Sequence, residues 1–268
     1  MVFNPRPEKR VGSTKQLSSA PTVEVAPQKG GAEEKQASSE LTSHPFIEEF
    51  EVVVDESLGV TSRGYLVHTD DEGPLIVFFG GNATDNRHAI RYFSKVRYSS
   101  IITNYRGYGR SDGEPSEKAI LEDAKKLVAW AKQSFPARYL ILMGYSMGTG
   151  VATITAASDS DVKGLILLSP YRSLVHVAQS NFIYRLLPLN MLMRHKFDSI
   201  DELKNRPDKV LIVYSISDWT IPTSESRAFV SLVPQAETRE FQLRHNQIMT
   251  DDQVWSDIQS WLEKEFVL

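Results

Sequence analysis

Residues 139–148, Tyr-Leu-Ile-Leu-Met-Gly-Tyr-Ser-Met-Gly, constrain this chain more than any other stretch. The apolar run 139–143 reads as a strand buried on both faces, and the Ala/Thr-rich segment that follows reads as a helix over 147–158. Between them Gly144-Tyr145-Ser146-Met147-Gly148 must turn the chain sharply. A serine at the tip of such a turn takes a strained backbone conformation, and glycines two positions to either side let neighbouring backbone approach without Cβ clashes. The turn holds Ser146 Oγ above the sheet edge, in front of the N–H groups and positive dipole end of the next helix. A plain structural turn is the competing reading. The strand before it and the helix after it favour an elbow that presents a reactive serine.

A serine hydroxyl is a weak nucleophile at neutral pH, so an elbow needs a base and an acid to orient that base. The chain order in sheets built this way is serine, acid, histidine. The histidines are His44, His68, His88, His176, His195 and His245, and only His245 follows both a late strand and a plausible acid. It lies in a polar break, Leu243-Arg244-His245-Asn246-Gln247, that can carry a base to a strand end; a solvent-exposed loop histidine is the plainer alternative. His176 and His195 stand among apolar residues and read as packing or cap residues. For the acid, Val210-Leu211-Ile212-Val213-Tyr214 is a continuous apolar strand, and Asp218 lies in the loop that leaves its carboxyl end. Open parallel sheets place their ligands at that rim. Asp218 would accept Nδ1–H of His245 and leave Nε2 free for the serine proton. An Asx-turn that merely closes the loop is the alternative, and Asp198, Asp201 and Asp208 compete for the role, although Asp208 precedes its strand and so belongs to the opposite rim.

An acyl-transfer site also needs donors for a developing oxyanion. Residues 74–79 read as a buried strand, and Gly80-Gly81-Asn82-Ala83 follows directly. The position of this loop after the strand points to the N–H of Asn82, with that of Met147, as the donor pair.

Together with the Asn104-Tyr105-Arg106-Gly107-Tyr108-Gly109-Arg110-Ser111-Asp112-Gly113-Glu114-Pro115-Ser116 loop, these residues resemble the α/β-hydrolase superfamily. Within it they look most like the Bem46-like branch, similar to serine peptidase S33-like and ABHD13/ABHD17-type serine hydrolases, from about Leu66 to the C-terminus. The branch usually shows His-Gly before its loop asparagine, where this chain has Gly80-Gly81, and glycines before its histidine, where this chain has Leu243-Arg244. The resemblance implies an α/β-hydrolase fold with a mainly parallel central sheet, helices on both faces and a short cap. It also implies a serine esterase or thioesterase with Ser146, Asp218 and His245 as catalytic residues and a small-molecule acyl ester or thioester as substrate. An amidase or peptidase of the same fold is the runner-up, and a non-catalytic binding or scaffold protein is the other class.

Composition agrees. The chain has 268 residues and 41% apolar content, enough for one sizeable core. A net charge of -4 supplies no basic field for nucleic acid. With no cysteine, disulfides, a thiol nucleophile, cysteine-ligated metal and S-acylation are excluded. Nothing supports a metal or nucleotide cofactor, no segment has the apolar length of a transmembrane span, and the start lacks an apolar signal core, so a cytoplasmic protein is expected. Oligomeric state leaves no signature.

Residues 1–43 are rich in Ser, Pro, Gly, Glu, Gln and Lys and are expected to be a disordered low-complexity tail, with the hydrolase domain over 44–268. Two antiparallel strands, 46–54 and 59–68, should open the sheet, followed by strands at 75–79, 100–104, 139–143, 164–168, 209–214 and 238–243 with helices between them. Ser116 starts one helix, 116–133, whose apolar face is Ile120, Ala124, Leu127, Val128 and Ala131. The segment 171–197 is longer than a simple crossover and reads either as a small cap over the site or as helices packed on the sheet. Phe182, Leu186, Leu187 and Met191 are its candidate substrate-binding residues.

Overall fold

Strict alternation of apolar side chains decides the architecture. In the computed structural model, which describes residues 45–69, 71–136, 138–180, 187–205, 207 and 209–266, strand β3 (Asp71–Phe79) sends Leu75, Val77 and Phe79 to one face and Ile76 and Phe78 to the other. Strand β5 (Leu140–Tyr145) divides likewise, Leu140 and Leu142 against Ile141 and Met143. Successive Cβ atoms point to opposite sides of a sheet, so a strand apolar at every position demands cover on both. The cover on the first face is α2 (Glu117–Ser134) and α3 (Met147–Ala157), with α6 (Thr223–Ser231) contributing Phe229. The second face is covered by α1 (Ile90–Phe93) and α7 (Asp252–Phe266), whose Tyr92, Phe93, Trp255, Ile258 and Trp261 pack there. Each fully buried side chain of this kind stabilises the fold by roughly 1.5–3 kcal/mol relative to exposure.

The remaining strands are β1 (Phe46–Asp55), β2 (Val60–His68), β4 (Tyr98–Thr103), β6 (Val162–Leu168), β7 (Lys209–Ser215) and β8 (Glu237–Phe241). They form one 8-stranded sheet in the order β1-β2-β4-β3-β5-β6-β7-β8. β2 pairs antiparallel with both β1 and β4, and every later pairing is parallel. The opening hairpin turns at Gly59, whose φ of 63° favours glycine. Helix α2 begins as its sequence predicts, with Ser116 Oγ accepting the N–H of Ala119 at 3.3 Å. Within the 171–197 segment the described helices are α4 (Leu174–Gln179) and α5 (Leu189–Leu192).

Several strand boundaries differ from expectation by one to four residues, among them the start of β4 at Tyr98, the end of β5 at Tyr145 and the start of β6 at Val162, and two have a visible cause. β3 starts at Asp71 because that residue pairs with Tyr98 across a register shift, although 71–74 carry no apolar pattern. β8 ends at Phe241, two residues early, because the side chain of Ser215 takes both the N–H and the C=O of Leu243 out of the ladder.

Candidate active site

Strand register brings the separate loops to one edge. Phe79 of β3 lies opposite Gly144 of β5, Tyr145 opposite Leu168 of β6, Leu168 opposite Val213 of β7, and Ser215 opposite Phe241 of β8. The segments beginning at Gly80, Ser146, Ser169, Ile216 and Gln242 therefore all leave from the carboxyl rim.

Ser146 has φ 54° and ψ -121°, a conformation that costs a side-chain-bearing residue about 1–3 kcal/mol and survives only where its surroundings hold it. Its N–H donates to Leu168 O at 2.9 Å, and its C=O accepts from the N–H and the Oγ1–H of Thr149 at 2.9 and 2.7 Å. The flanking glycines are needed for contact. A Cβ on Gly144 would sit 2.4 Å from Gly148 O, and one on Gly148 would sit 2.0 Å from Phe79 O. Helix α3 thus rests directly on the end of β3, and the N–H of Met147, at its first turn, is one of those a helix leaves without an internal acceptor.

The structure brings Ser146, His245 and Asp218 into one hydrogen-bonded line. His245 Nδ1 lies 2.7 Å from Asp218 Oδ2, and His245 Nε2 lies 3.0 Å from Ser146 Oγ. A carboxylate only accepts, so Nδ1 carries the proton and Nε2 presents its lone pair to the serine hydroxyl. Asp218 is buried. Burial works against its ionisation, but the hydrogen bond and charge of His245, the N–H of Ile221 and the hydroxyl of Ser169 outweigh it and hold the carboxyl below its ordinary value. Its other oxygen, Oδ1, accepts the N–H groups of Thr220 and Ile221, each at 2.9 Å. Asp198 instead caps its own turn at the N–H of Ile200, Asp201 opens a short 3-10 turn, and Asp208 lies outside the described residues.

Two side chains position the His245 loop. Ser215 Oγ donates to Leu243 O at 2.5 Å and accepts Leu243 N–H at 2.8 Å, which anchors the loop on the end of β7. The Tyr145 ring stacks on the imidazole, centroids 5.1 Å apart, while its hydroxyl donates to His245 O at 3.1 Å. Burial, with the charge of Asp218, raises the phenol well above its ordinary value, so it remains a donor.

On the oxyanion side, a Cβ on Gly81 would lie 3.6 Å from Ser146 Cβ, so the Gly81-Asn82 backbone passes beside the serine. The Tyr105–Pro115 loop braces this strand exit. Tyr105 donates to Gly80 O at 2.8 Å and Tyr108 to Asn82 Oδ1 at 2.6 Å, while a buried bidentate pair, Arg106 with Asp123 at 2.7 and 2.6 Å, ties the loop to α2. Sequence reading singled out this loop but assigned its tyrosines no contact, and it overlooked Ser169 and Tyr145.

His195 accepts the first N–H of α2, from Glu117, at 3.2 Å, and His176 meets its own cap serine, Ser173, at 2.7 Å; both fit the cap role read from sequence. Leu187 and Met191 are 44% and 87% exposed and point to solvent, whereas Phe182 and Leu186 lie outside the described residues.

Comparison with known proteins gives this arrangement a family context. The profile of the alpha/beta hydrolase fold family matches residues 74–188. The esterase PF2001 of Pyrococcus furiosus superposes with a TM-score of 0.68 at 16% identity, covering 82% of this chain and 92% of that one. The chain has the α/β-hydrolase fold. A second solved structure, the acylaminoacyl peptidase of Pyrococcus horikoshii, gives a TM-score of 0.66 at 13% identity over 84% of this chain and 42% of that one. Among sequence relatives, the lysophosphatidylserine lipase ABHD12 of Danio rerio is 29% identical over 62% of this chain and 48% of its own length. An uncharacterized protein of Mycobacterium tuberculosis is 30% identical over 68% of this chain and 66% of its own. The chain thus spans about half the length of the ABHD12 relative it matches. These matches support membership of the α/β-hydrolase superfamily. Among the described residues no helix is long and apolar enough to cross a membrane.

Proposed function

We propose that this α/β hydrolase cleaves carboxylic ester or thioester bonds through an acyl-enzyme intermediate, with Ser146, His245 and Asp218 as its catalytic residues. The reading is carried by one observation, the unbroken hydrogen-bonded line from Ser146 Oγ through the imidazole to a buried, ionised carboxylate. Ser146 Oγ attacks the acyl carbonyl as its proton passes to His245 Nε2, and the carbonyl oxygen, now an oxyanion, is met by the N–H groups of Asn82 and Met147. Asp218 fixes the tautomer and stabilises the imidazolium, which then returns the proton to the leaving alkoxide or thiolate. Water, deprotonated by the same imidazole, attacks the acyl-enzyme carbonyl, and the bond to Ser146 Oγ breaks as the imidazolium returns the proton to it, freeing the acid.

The name of the ABHD12 relative places a lysophospholipid acyl ester among the substrates to try. The Bem46-like branch is the finer assignment that the Tyr105–Pro115 loop supports. The hydrolase unit in this reading is residues 44–268, with 171–197 as a small cap, a role supported by its length beyond a simple crossover.

A fluorophosphonate, which mimics the attacked carbonyl, tests the reading. One adduct on the full chain by intact mass, absent from Ser146→Ala, is the expected result. No adduct on folded protein favours the scaffold reading, and turnover of an aminoacyl amide in preference to acyl esters of graded length favours the amidase.

A further inference from the structure

Ser169 ends β6 much as Ser146 ends β5. Its φ is also 54°, its N–H donates to Val213 O at 2.8 Å, and it is 0% exposed. Its hydroxyl donates at 2.9 Å to Asp218 Oδ2, the same oxygen that receives His245 Nδ1–H at 2.7 Å. The backbone strain is left in place at a buried position where the side chain has one polar partner to reach, and that partner touches the imidazole.

We propose that Ser169 is a positioning residue, whose buried hydroxyl pins the Asp218 oxygen that orients His245. The proposal rests on the hydrolase reading above. With Oδ1 held by the N–H groups of Thr220 and Ile221, two donors fix one carboxylate oxygen and Ser169 fixes the direction of the other. The carboxylate cannot rotate away from the histidine. The hydroxyl also draws charge from Oδ2 and so moderates its pull on the imidazole proton. The groups facing this pair are Ser146 and the Tyr145 ring from the end of β5, Ser169 from the end of β6, and the backbone donors of the Asp218 loop; Arg244, next in the chain to His245, points to solvent.

Removing the hydroxyl should let the carboxylate swing and make its oxygen a stronger base. For Ser169→Ala the expected result is a loss of kcat on the order of tenfold, KM within about twofold, and an acid limb of kcat/KM displaced to higher pH. Ser169→Gly removes the same donor while relieving the left-handed backbone, and should behave alike. Ser169→Cys, which keeps a weak donor, should fall between wild type and Ala. An unchanged kcat and acid limb in Ser169→Ala overturns the proposal. So does a lowered kcat with the limb unmoved and Cys no better than Ala, since that is the signature of a merely structural serine.

Fluorophosphonate labelling of wild type in parallel separates the two readings. If wild type takes no label and hydrolyses no ester, the hydrolase reading fails, and NMR titration of the His245 imidazole in wild type and Ser169→Ala then decides the positioning role. A midpoint moved upward upholds it, and an unchanged midpoint overturns it.

Discussion

Replacing Gly148 by alanine tests how closely α3 is pressed onto the sheet. The added Cβ would stand 2.0 Å from Phe79 O and 2.6 Å from Gly80 O, against the 3.4 Å at which ordinary contact begins. Both obstacles are backbone, in the centre of the sheet and at the first residue of the Gly80–Ala83 loop, so no side chain can turn aside. Relief requires the start of the helix and the loop to part by about 1.4 Å, the difference between 3.4 and 2.0 Å. Overpacking of this kind costs about 1–3 kcal/mol, and an all-backbone clash belongs at the upper end. At roughly 2–4 °C per kcal/mol for a domain of this size, Tm should fall by about 6–12 °C. The parted elements carry the N–H groups of Met147 and Asn82, and a misplacement of about 1 Å in such a site costs on the order of a hundredfold in kcat.

Gly81→Ala supplies the contrast. Its Cβ meets the Tyr145 ring at 3.4 Å and Ser146 Cβ at 3.6 Å, distances that the fold tolerates, but it occupies the space beside the serine where an acyl carbonyl has to bind. Melting should be near wild type and ester turnover strongly reduced. Differential scanning calorimetry and initial rates on a short acyl ester measure both variants. Wild-type melting and rate in Gly148→Ala would refute the packing argument, and full turnover in Gly81→Ala would refute the placement of the carbonyl.

Asp218→Asn should lower kcat by about 10⁴, since an amide favours the wrong imidazole tautomer, whereas Asp198→Asn, which caps only its own turn, should stay within a few-fold. Because the Asp218 carboxyl lies below its ordinary value in the fold, its stabilising effect is present above about pH 4 and lost as pH falls through the depressed folded value. Urea midpoints of wild type and Asp218→Asn should therefore differ by a constant amount from pH 8 to 5 and converge only below that; convergence by pH 6 would contradict the depression. Asp123→Ala leaves the buried Arg106 guanidinium to the Asp55 carboxylate, 3.8 Å away, and should cost about 3 kcal/mol, the lower end for a broken buried pair, read as a lowered urea midpoint at unchanged slope. Deleting residues 1–43 should leave Tm and kcat/KM unchanged, because their composition buries little apolar surface and every proposed catalytic group lies after Phe79; a large loss in either would place part of the functional unit before residue 44.

The parts of this molecule that were legible in the sequence are those set by local chemistry. Continuous apolar runs announced β5, β6 and β7 because a parallel strand covered on both faces needs apolar side chains at every position. Gly144 and Gly148 announced the elbow because no larger residue allows α3 to meet β3, and Ser116 announced α2 because its hydroxyl satisfies a helix donor next to it in the chain. Where a boundary depends on a partner far away in the chain, the local pattern misleads. Leu243 has the apolar character of a strand residue, yet it leaves the ladder because Ser215, on the neighbouring strand β7, takes its backbone groups. The short α1 is similarly hidden, since the turn before it is seated by Asn86 donating to Thr103 O and accepting no help from its own periodicity.

The same division runs through the candidate site. Ser146, Asp218 and His245 could be ordered from sequence because each follows a recognisable strand and their chain order is restricted. Ser169 and Tyr145 could not. Ser169 follows β6 as an ordinary loop serine, and its meaning appears only when the β6–β7 register sets Leu168 opposite Val213 and thereby carries the end of β6 to the loop that holds Asp218. Tyr145 occupies the variable position of the elbow, where any side chain satisfies the motif, and only the return of the chain 100 residues later puts an imidazole over its ring and a carbonyl at its hydroxyl. A motif identifies groups whose local backbone is demanding. The groups that orient them are chosen by what the sheet brings alongside, so in this fold they are to be sought at the first residues beyond each neighbouring strand, in register order rather than in chain order.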